Sequence, residues 1–413
     1  MMATKASLGA AGPLPTNVSL SGLDGVNFVI AGMLAGFGPY VAAYLAAQGW
    51  TPQNIGFVLT ASGLAGLLSQ LPGGELLDIV RAKRAFVAAG ATIVAISAII
   101  ISFEPSLPLV STALVLQGIT GGFIGPAIAA ISLGLVGHAA LPDRLGRNQR
   151  FSSTGSLVAA ALMGLIGYVL SYQAIFLTVA ALALPLFVAL ARIRAADIHF
   201  GRACGAPHHH MPSQPARTSR GSLWKSPGLM TFAICLFLFQ LANASLLPLV
   251  VEGLVYQGEK SSSLIVSALI VLPQIVVALM APWVGRQARS WGRLPLLLIG
   301  FAALPVRALL FALLIDSPLL VVVQLLDGIS GAVVGVLTPL VIADMTSGTG
   351  RFNLAQGTVG TVSGIGASLS TLFGLVAVSF GRTGVFVSIA AVGLLAALTL
   401  WFLMPETRPS TEQ

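Results

Sequence analysis

Long apolar stretches alternate with short polar ones along most of this chain. A helix that spans a bilayer needs about 20 mostly apolar residues, and twelve stretches meet or approach that length. The predicted spans are residues 21–47, 55–77, 85–103, 108–136, 151–171, 174–193, 228–251, 263–284, 294–315, 317–343, 355–380 and 383–404. The pattern therefore predicts an all-α membrane protein with twelve transmembrane helices.

The polar segments divide the chain into two halves. The longest, residues 194–227, contains several prolines, serines and arginines and is predicted to be a central cytoplasmic loop. It separates a six-helix bundle at 21–193 from a second one at 228–404. Residues 1–20 and 405–413 are predicted to be cytoplasmic tails, because the first lacks the basic region and cleavage site of a signal peptide.

The basic residues predict the orientation, since Lys and Arg concentrate in the cytoplasmic loops of membrane proteins. With the N-terminus inside, 18 of the 21 basic residues lie on the cytoplasmic side. Lys260 and Arg382 lie outside, and Arg307 lies within a span. Both termini are therefore expected in the cytoplasm.

The composition excludes several other classes of protein. The chain is 56% hydrophobic and 8% charged, whereas soluble proteins carry about 25% charged residues. A soluble enzyme or a nucleic-acid-binding domain is not expected, and the net charge of +8 follows from the cytoplasmic loops. The two cysteines are too few for a disulfide framework.

The two halves carry related sequence. The segment 116–121 (LQGITG) recurs as 326–331 (LDGISG), and each copy lies in the fourth span of its half. The loop after the second span also repeats loosely, and a Gly-Arg pair follows the fourth span in both halves. Such a duplication is typical of secondary transporters, whose substrate site lies near the midplane where the halves meet.

The loop between spans two and three resembles the signature loop of the major facilitator superfamily. Residues 74–84 (GELLDIVRAKR) carry a glycine, an apolar stretch, an aspartate and a basic cluster. The resemblance implies two bundles in pseudo-symmetric arrangement that rock about a central cavity. It also implies a cytoplasmic gate motif in which Asp78 accepts contacts that latch the halves, and Gly74 allows close helix approach. The basic set of this motif is Arg81, Lys83 and Arg84; the alternative is that these three only set the topology.

The sequence departs from the family pattern in three places. Arg81 replaces the usual glycine before the basic residues, and Leu114 occupies the position where proton-driven drug exporters often have arginine. The fifth span lacks the Gly-Pro motif of those exporters; the pair Gly125-Pro126 lies in the fourth span, where a kink is the simpler interpretation. These departures weaken an assignment as a drug exporter.

Three charged residues are candidates for coupling or for buried ion pairs, because a charge inside a membrane is costly unless paired or functional. Asp327 and Arg307 have similar depths near the middle of spans ten and nine. Asp327 either exchanges protons and couples transport to them, or is a permanent counter-ion to Arg307. Asp24 lies near the cytoplasmic start of span one, where a wet interface is the favoured interpretation and a coupling role is the alternative.

Uncharged polar residues in the spans are candidates for the lining of the substrate cavity. They share helix faces at one-turn spacing or lie in the repeated segments, although helix–helix hydrogen bonds and an interfacial aromatic belt explain them equally well. The candidates are Asn27, Tyr40, Tyr44, Gln117, Thr120, Gln240, Asn243, Gln324 and Ser330.

Motifs of other chemistry are missing from the sequence. There is no phosphate-binding loop, zinc-protease motif or nucleophile elbow, so an ATP-driven pump or a membrane-embedded enzyme is disfavoured, and no cofactor is expected. His208-His209-His210 with Cys204 and His199 could hold a metal, but a flexible loop with chance histidines is preferred.

We expect a monomeric secondary transporter in a bacterial inner membrane, with a small molecule and protons as partners and no nucleic acid. Its predicted activity is proton-coupled efflux, and uptake by proton symport is the alternative.

Overall fold

The computed structural model describes residues 15–103, 106–206, 226–256, 262–314, 317 and 319–408. Regular structure in these residues is entirely helical. Within these described residues, eleven helices are long and apolar enough to cross a membrane. The longest of them, Leu107–Val169, breaks at Gly137 into two pieces that each have membrane-spanning length. Dividing it there gives twelve spans and confirms the predicted fold class.

The helices are numbered here in chain order. In the first half they are α1 (Asn17–Ala47), α2 (Pro52–Ile79), α3 (Lys83–Phe103), α4 (107–136), α5 (138–169) and α6 (Tyr172–Arg192). In the second half they are α7 (Pro227–Glu252), α8 (Ser262–Ser290), α9 (Leu294–Leu314), α10 (Leu320–Met345), α11 (Phe352–Ala377) and α12 (Gly381–Leu403).

The connection between α4 and α5 differs from the prediction. Residues 137–150 were expected to form a cytoplasmic loop. Instead, the helix is interrupted at the single residue Gly137, and the chain is helical again from residue 138. Gly137 has φ 70°, a conformation that L side chains avoid and glycine adopts freely. The arginines at 144, 147 and 150 therefore lie on a helix and project from its faces.

The first part of the central loop is folded against the bundles. A turn at Ala195–Asp197 and a short helix at Phe200–Ala203 follow α6. The Asp197 carboxylate accepts hydrogen bonds from the hydroxyls of Thr16 (2.7 Å) and Ser19 (2.6 Å) at the start of α1, and these bonds lower the pKa of Asp197. Residues 207–225, with the three consecutive histidines, lie outside the described residues.

Each half has its own hydrophobic core. One core draws its buried side chains from α1 to α6. The other draws them from α7 to α12 and adds four residues of α4 and α5: Ala129, Leu133, Leu141 and Leu145. Those four belong to the first half but pack in the second core, so they mark a contact surface between the halves.

Candidate functional site

A cavity of about 580 Å³ lies between the two halves. Seven helices line it: α1, α2, α4 and α5 from the first half, and α7, α10 and α11 from the second. Its size is in the range of small-molecule sites. The cavity is therefore placed where a duplicated transporter is expected to hold its substrate.

The polar lining of the cavity consists of amides and hydroxyls. The amides are Asn27, Gln70, Asn148, Gln149, Gln240 and Gln356, and the hydroxyls are Ser152, Thr338 and Ser363. No ionisable side chain lines the cavity among the residues described. The Thr338 hydroxyl and the Gln356 Nε2 are buried there without a hydrogen-bond partner in the described structure. Because buried polar groups are normally paired, these two atoms are suited to bind a polar ligand.

Glycines on the second half make room for amides of the first half. A methyl group at Gly335 of α10 would lie 2.8 Å from the side-chain carbon of Gln149, and one at Gly360 of α11 would lie 2.3 Å from Gln70 Oε1. The side chains of these two glutamines therefore pack directly against the glycine backbone of the second half. The two glutamines narrow the space between the halves at this level.

The structure brings two of the predicted cavity residues, Asn27 and Gln240, into the lining. The others lie elsewhere. Tyr44 is buried in the first core, where its ring packs 5.2 Å from that of Phe176, and Tyr40 is half-buried against the same core.

The remaining candidates mainly join helices or bond within one. Thr120 donates to the carbonyl of Gln117 (2.7 Å) on its own helix, and Ser330 donates to the Gly300 carbonyl (2.7 Å), which joins α10 to α9. Gln324 is buried beside Asp327, and Asn243 contacts Arg307.

Several lining residues were not anticipated from the sequence. Asn148 and Gln149 fell in the predicted loop before span five, so they were not considered as membrane residues. Gln356 is the fifth residue of α11 and lies close to the edge of the predicted span. Gln70 is the exception, because it lies inside a predicted span, where a polar amide is a signal that the sequence does carry.

Arg307 and Asp327 form an ion pair within the second half. The guanidinium of Arg307 also donates from Nη2 to Asn243 Oδ1 at 2.6 Å. The Arg307 side chain is 3% exposed and that of Asp327 is 29% exposed. Asp327 precedes Val334 of the cavity lining by seven residues, or about 10 Å along α10, on the same helix face. In this state of the protein Asp327 is paired with Arg307; that it also exchanges protons stays a prediction.

Asp24 also lies in an ion pair, with two arginines of α5. Its side chain is 7% exposed and accepts from Arg144 and, at 2.6 Å, from Arg147 Nη2. The expected wet interface is wrong, because residues 138–150 form helix and carry both arginines into contact with α1. Arg144 also donates to Asn148 Oδ1 at 2.7 Å, so the pair is connected directly to the cavity lining.

The residues of the predicted gate motif join the two halves at one end of the helices. Asp78 is 5% exposed and accepts three hydrogen bonds across the halves: from Asn353 N (3.1 Å), Asn353 Nδ2 (2.8 Å) and Leu354 N (2.9 Å). These groups form the first turn of α11, whose free N–H groups and dipole favour a carboxylate. A methyl at Gly74 would lie only 2.3 Å from the Asn353 carbonyl oxygen, so α2 and α11 are in backbone contact here.

The basic residues of the motif contact the central loop. Lys83 is 1% exposed; its Nζ lies 3.5 Å from Cys204 Sγ and 4.9 Å from the centre of the Phe200 ring. Arg81 lies over the same ring at 5.7 Å, whereas Arg84 is half-buried and has an unpaired Nε within the described structure. The resemblance implied a basic set that works with Asp78. In the described residues, N–H groups of α11 contact Asp78, whereas Lys83 and Arg81 contact Cys204 and Phe200 of the central loop.

We expect Asp78→Asn to reduce transport about tenfold or more. Asn offers one oxygen where Asp78 offers two charged ones, so at least one of the charge-assisted hydrogen bonds, each worth about 1.5–3 kcal/mol, is lost. The matched control is Asp143→Asn, because Asp143 pairs with Arg289 at the same end but both side chains are nearly half exposed and such pairs contribute little. Initial uptake rates in vesicles test this; equal losses in both variants would contradict it.

Cys204 provides a chemical test of the closed gate. Burial raises the pKa of its thiol to about 11, although the nearby Lys83 opposes that shift. Because the thiolate is the reactive form, maleimide labelling at pH 8 should be roughly 200-fold slower than for a free cysteine of pKa ~8.5. The rate should rise with pH up to about 11. Mass spectrometry on the Cys235→Ala background measures it, and labelling at the rate of a free thiol would show that this end is open.

Comparisons with known proteins agree with this architecture. The family model described as Major Facilitator Superfamily matches residues 23–304 and residues 232–413. Two uncharacterized MFS-type transporters of Mycobacterium tuberculosis, strains CDC 1551 / Oshkosh and ATCC 25618 / H37Rv, are each 37% identical over 387 residues, which cover 93% of both chains.

Two further comparisons are more distant. The class B tetracycline resistance protein of Escherichia coli is 29% identical over 140 residues, 34% of each chain. Among solved structures, the proton:xylose symporter XylE bound to 6-bromo-6-deoxy-D-glucose matches with a TM-score of 0.70 at 16% identity, covering 95% of this chain and 96% of that one. At that identity the match concerns the fold.

Proposed function

This chain belongs to the major facilitator superfamily of membrane transporters, and we propose that it exports a small, uncharged organic solute in exchange for protons. The observation that carries the proposal is the cavity between the halves, which has an amide and hydroxyl lining and unpaired buried polar atoms at Thr338 and Gln356. Apolar side chains such as Ile30 and Leu236 complete the lining. An uncharged solute with polar groups and an apolar body matches both kinds of surface.

The places where the halves meet support alternating access. Three close contacts, Gly74–Asn353, Gly146–Ala281 and Gly285–Pro142, join the halves at the Asp78 end of the helices. The arginine distribution assigns that end to the cytoplasm, in a bacterial inner membrane with both termini inside. The structure then represents a state closed to the cytoplasm. Release of the Asp78 contacts and re-closure at the other end would expose the cavity inward.

Proton coupling is assigned to Asp327 and Arg307. A coupling carboxylate must be reached by water, and the Asp327 side chain is 29% exposed whereas that of Asp24 is 7% exposed. Protonation of Asp327 would leave Arg307, buried between Asn243 and the carboxylate, without its counter-ion. The arginine then favours a rearrangement of α7, α9 and α10, which is the coupling step of this proposal.

Different observations favour export and import. The similarity to a tetracycline resistance protein supports export, although it covers a third of the chain. Uptake of a metabolite by proton symport is the second candidate, because the fold matches that of a proton:xylose symporter and the exporter features at Leu114 and in the fifth span are absent.

The test begins with purified protein in a thermal-shift screen of uncharged compounds at two pH values, since a ligand raises the apparent stability by mass action. Hits are then assayed in vesicles with an imposed pH gradient. Solute movement opposite to the proton flux supports export, and movement in the same direction supports symport. Gradient-independent movement or no movement of any hit would contradict proton coupling. Gln356→Ala should weaken the response, and the exposed Gln53→Ala should not.

A further inference from the structure

A second cavity lies on the opposite side of α5 from the central one. It has a volume of about 550 Å³ and is formed by α1, α5 and α8. Its lining is Phe28, Asp143, Arg147, Arg150, Phe151, Thr154, Pro282 and Arg286. On α5 these residues occupy a different helix face from Leu145, Asn148, Gln149 and Ser152, which line the central cavity. The second cavity is therefore separate from the proposed transport path.

The charges around this cavity leave an excess of arginine. Asp143 pairs with Arg289, and Asp24 pairs with both Arg144 and Arg147. Arg150 and Arg286 are exposed and have no acidic partner in the part of the chain that the structure describes. Five arginines thus face two aspartates, a formal excess of three positive charges. Arginine binds phosphate with charge-assisted, often bidentate hydrogen bonds.

The surface beside the cavity is apolar and exposed. Going along α5 away from the Asp78 end, Val158, Leu162 and Leu165 are 47%, 43% and 60% exposed on the face of Phe151 and Thr154. On α8, Leu279 and Ile275 are 71% and 37% exposed on the face of Arg286. α5 begins at the Asp78 end and α8 ends there. Both sets of apolar side chains therefore extend from the cavity towards the membrane centre. Acyl chains fit such a surface, whereas a free anion gains nothing from it.

We propose that this cavity binds the phosphate headgroup of an anionic phospholipid between Arg150 of the first half and Arg286 of the second, with its acyl chains along α5 and α8. Basic pockets between transmembrane helices on the cytoplasmic side suit such headgroups. The neighbouring contacts Gly146–Ala281 and Gly285–Pro142 join the halves at the closed end. A lipid held by both arginines adds a further link between the two halves and favours the state in which this end is closed.

The test compares the full chain in vesicles of phosphatidylcholine alone with vesicles that also contain phosphatidylglycerol. The anionic lipid should raise the unfolding temperature of the wild type by a few degrees, and the double variant Arg150→Gln/Arg286→Gln should lose most of that rise. Arg192→Gln is the matched control, because Arg192 is exposed at the same end on α6 and outside the cavity; it should keep the rise. Native mass spectrometry should find fewer retained phosphatidylglycerol molecules on the double variant.

Two results would overturn the proposal. An equal rise in the wild type and the double variant would assign the effect to the general surface charge of the bilayer. An equal rise on adding millimolar inorganic phosphate or glycerol phosphate to phosphatidylcholine vesicles would identify the site as one for a free anion. Neither result depends on transport, so the lipid site can fail while the proposed function stands.

Discussion

Asp327→Asn should lower the free energy of unfolding by about 3 kcal/mol and abolish proton dependence. Arg307 is 3% exposed, so loss of the carboxylate leaves a buried positive charge with one amide acceptor, Asn243. Breaking a buried pair by removing one partner costs about 3–5 kcal/mol, and the partial exposure of Asp327 favours the lower value. Thermal unfolding in detergent and pH-gradient-driven transport in vesicles measure the two effects.

The double variant Arg307→Gln/Asp327→Asn separates stability from coupling. It removes both charges, so most of the lost stability should return, while proton-driven transport should stay absent. The exposed pair Asp143–Arg289 is the control, because Asp143→Asn should cost less than about 1 kcal/mol. A stable Asp327→Asn protein with normal proton coupling would contradict the assignment of this pair.

Gly74→Ala should strongly reduce transport by preventing closure at the Asp78 end. The new methyl would lie 2.3 Å from the Asn353 carbonyl oxygen and 3.1 Å from Leu354 Cα, and both are backbone atoms that cannot rotate away. Overpacking of this kind costs about 1–3 kcal/mol. At about 2 kcal/mol the ratio of closed to open protein falls roughly 30-fold. The expected result is a loss of transport of about that size, with each bundle still folded.

Gly63→Ala on the same helix is the control, because a methyl there meets nothing within 4 Å. It should leave transport unchanged. Labelling of Cys204 gives an independent readout: the rate should rise in Gly74→Ala and not in Gly63→Ala. Full transport activity of Gly74→Ala would show that the backbone contact between α2 and α11 is not needed.

The spans were predictable because the bilayer acts on each helix separately. A run of about 20 apolar residues has few other stable environments, so local composition was enough to predict twelve helices. The turn between α4 and α5 was missed because the arginines near it resemble a polar loop. Their partner, Asp24, is about 120 residues away in the chain, and local sequence does not report such a contact.

The cavity lining was less predictable than the fold. Whether a polar residue faces the cavity or a neighbouring helix depends on the rotation of each helix in the bundle, which the sequence pattern alone leaves open. Ser330 and Thr120 satisfy helix carbonyls, while Gln240 and Asn27 reach the cavity. The contact between α2 and α11 was easier to anticipate, because Gly74 and Asp78 belong to a motif whose position in the chain is itself informative; their role as a gate stays a prediction.

Paired distance measurements at the two ends test the account most directly. Spin labels at Ala82 and Ser347 report on the Asp78 end, and labels at Gln48 and Ser379 report on the opposite end; all four positions are exposed. Cys204 and Cys235 are replaced by Ala, and the distance within each pair of labels is measured in lipid by double electron–electron resonance, with and without solute at two pH values. The account predicts that one distance lengthens as the other shortens. Two distances that change together, or that stay fixed in every condition, would contradict a cavity that opens to one side at a time.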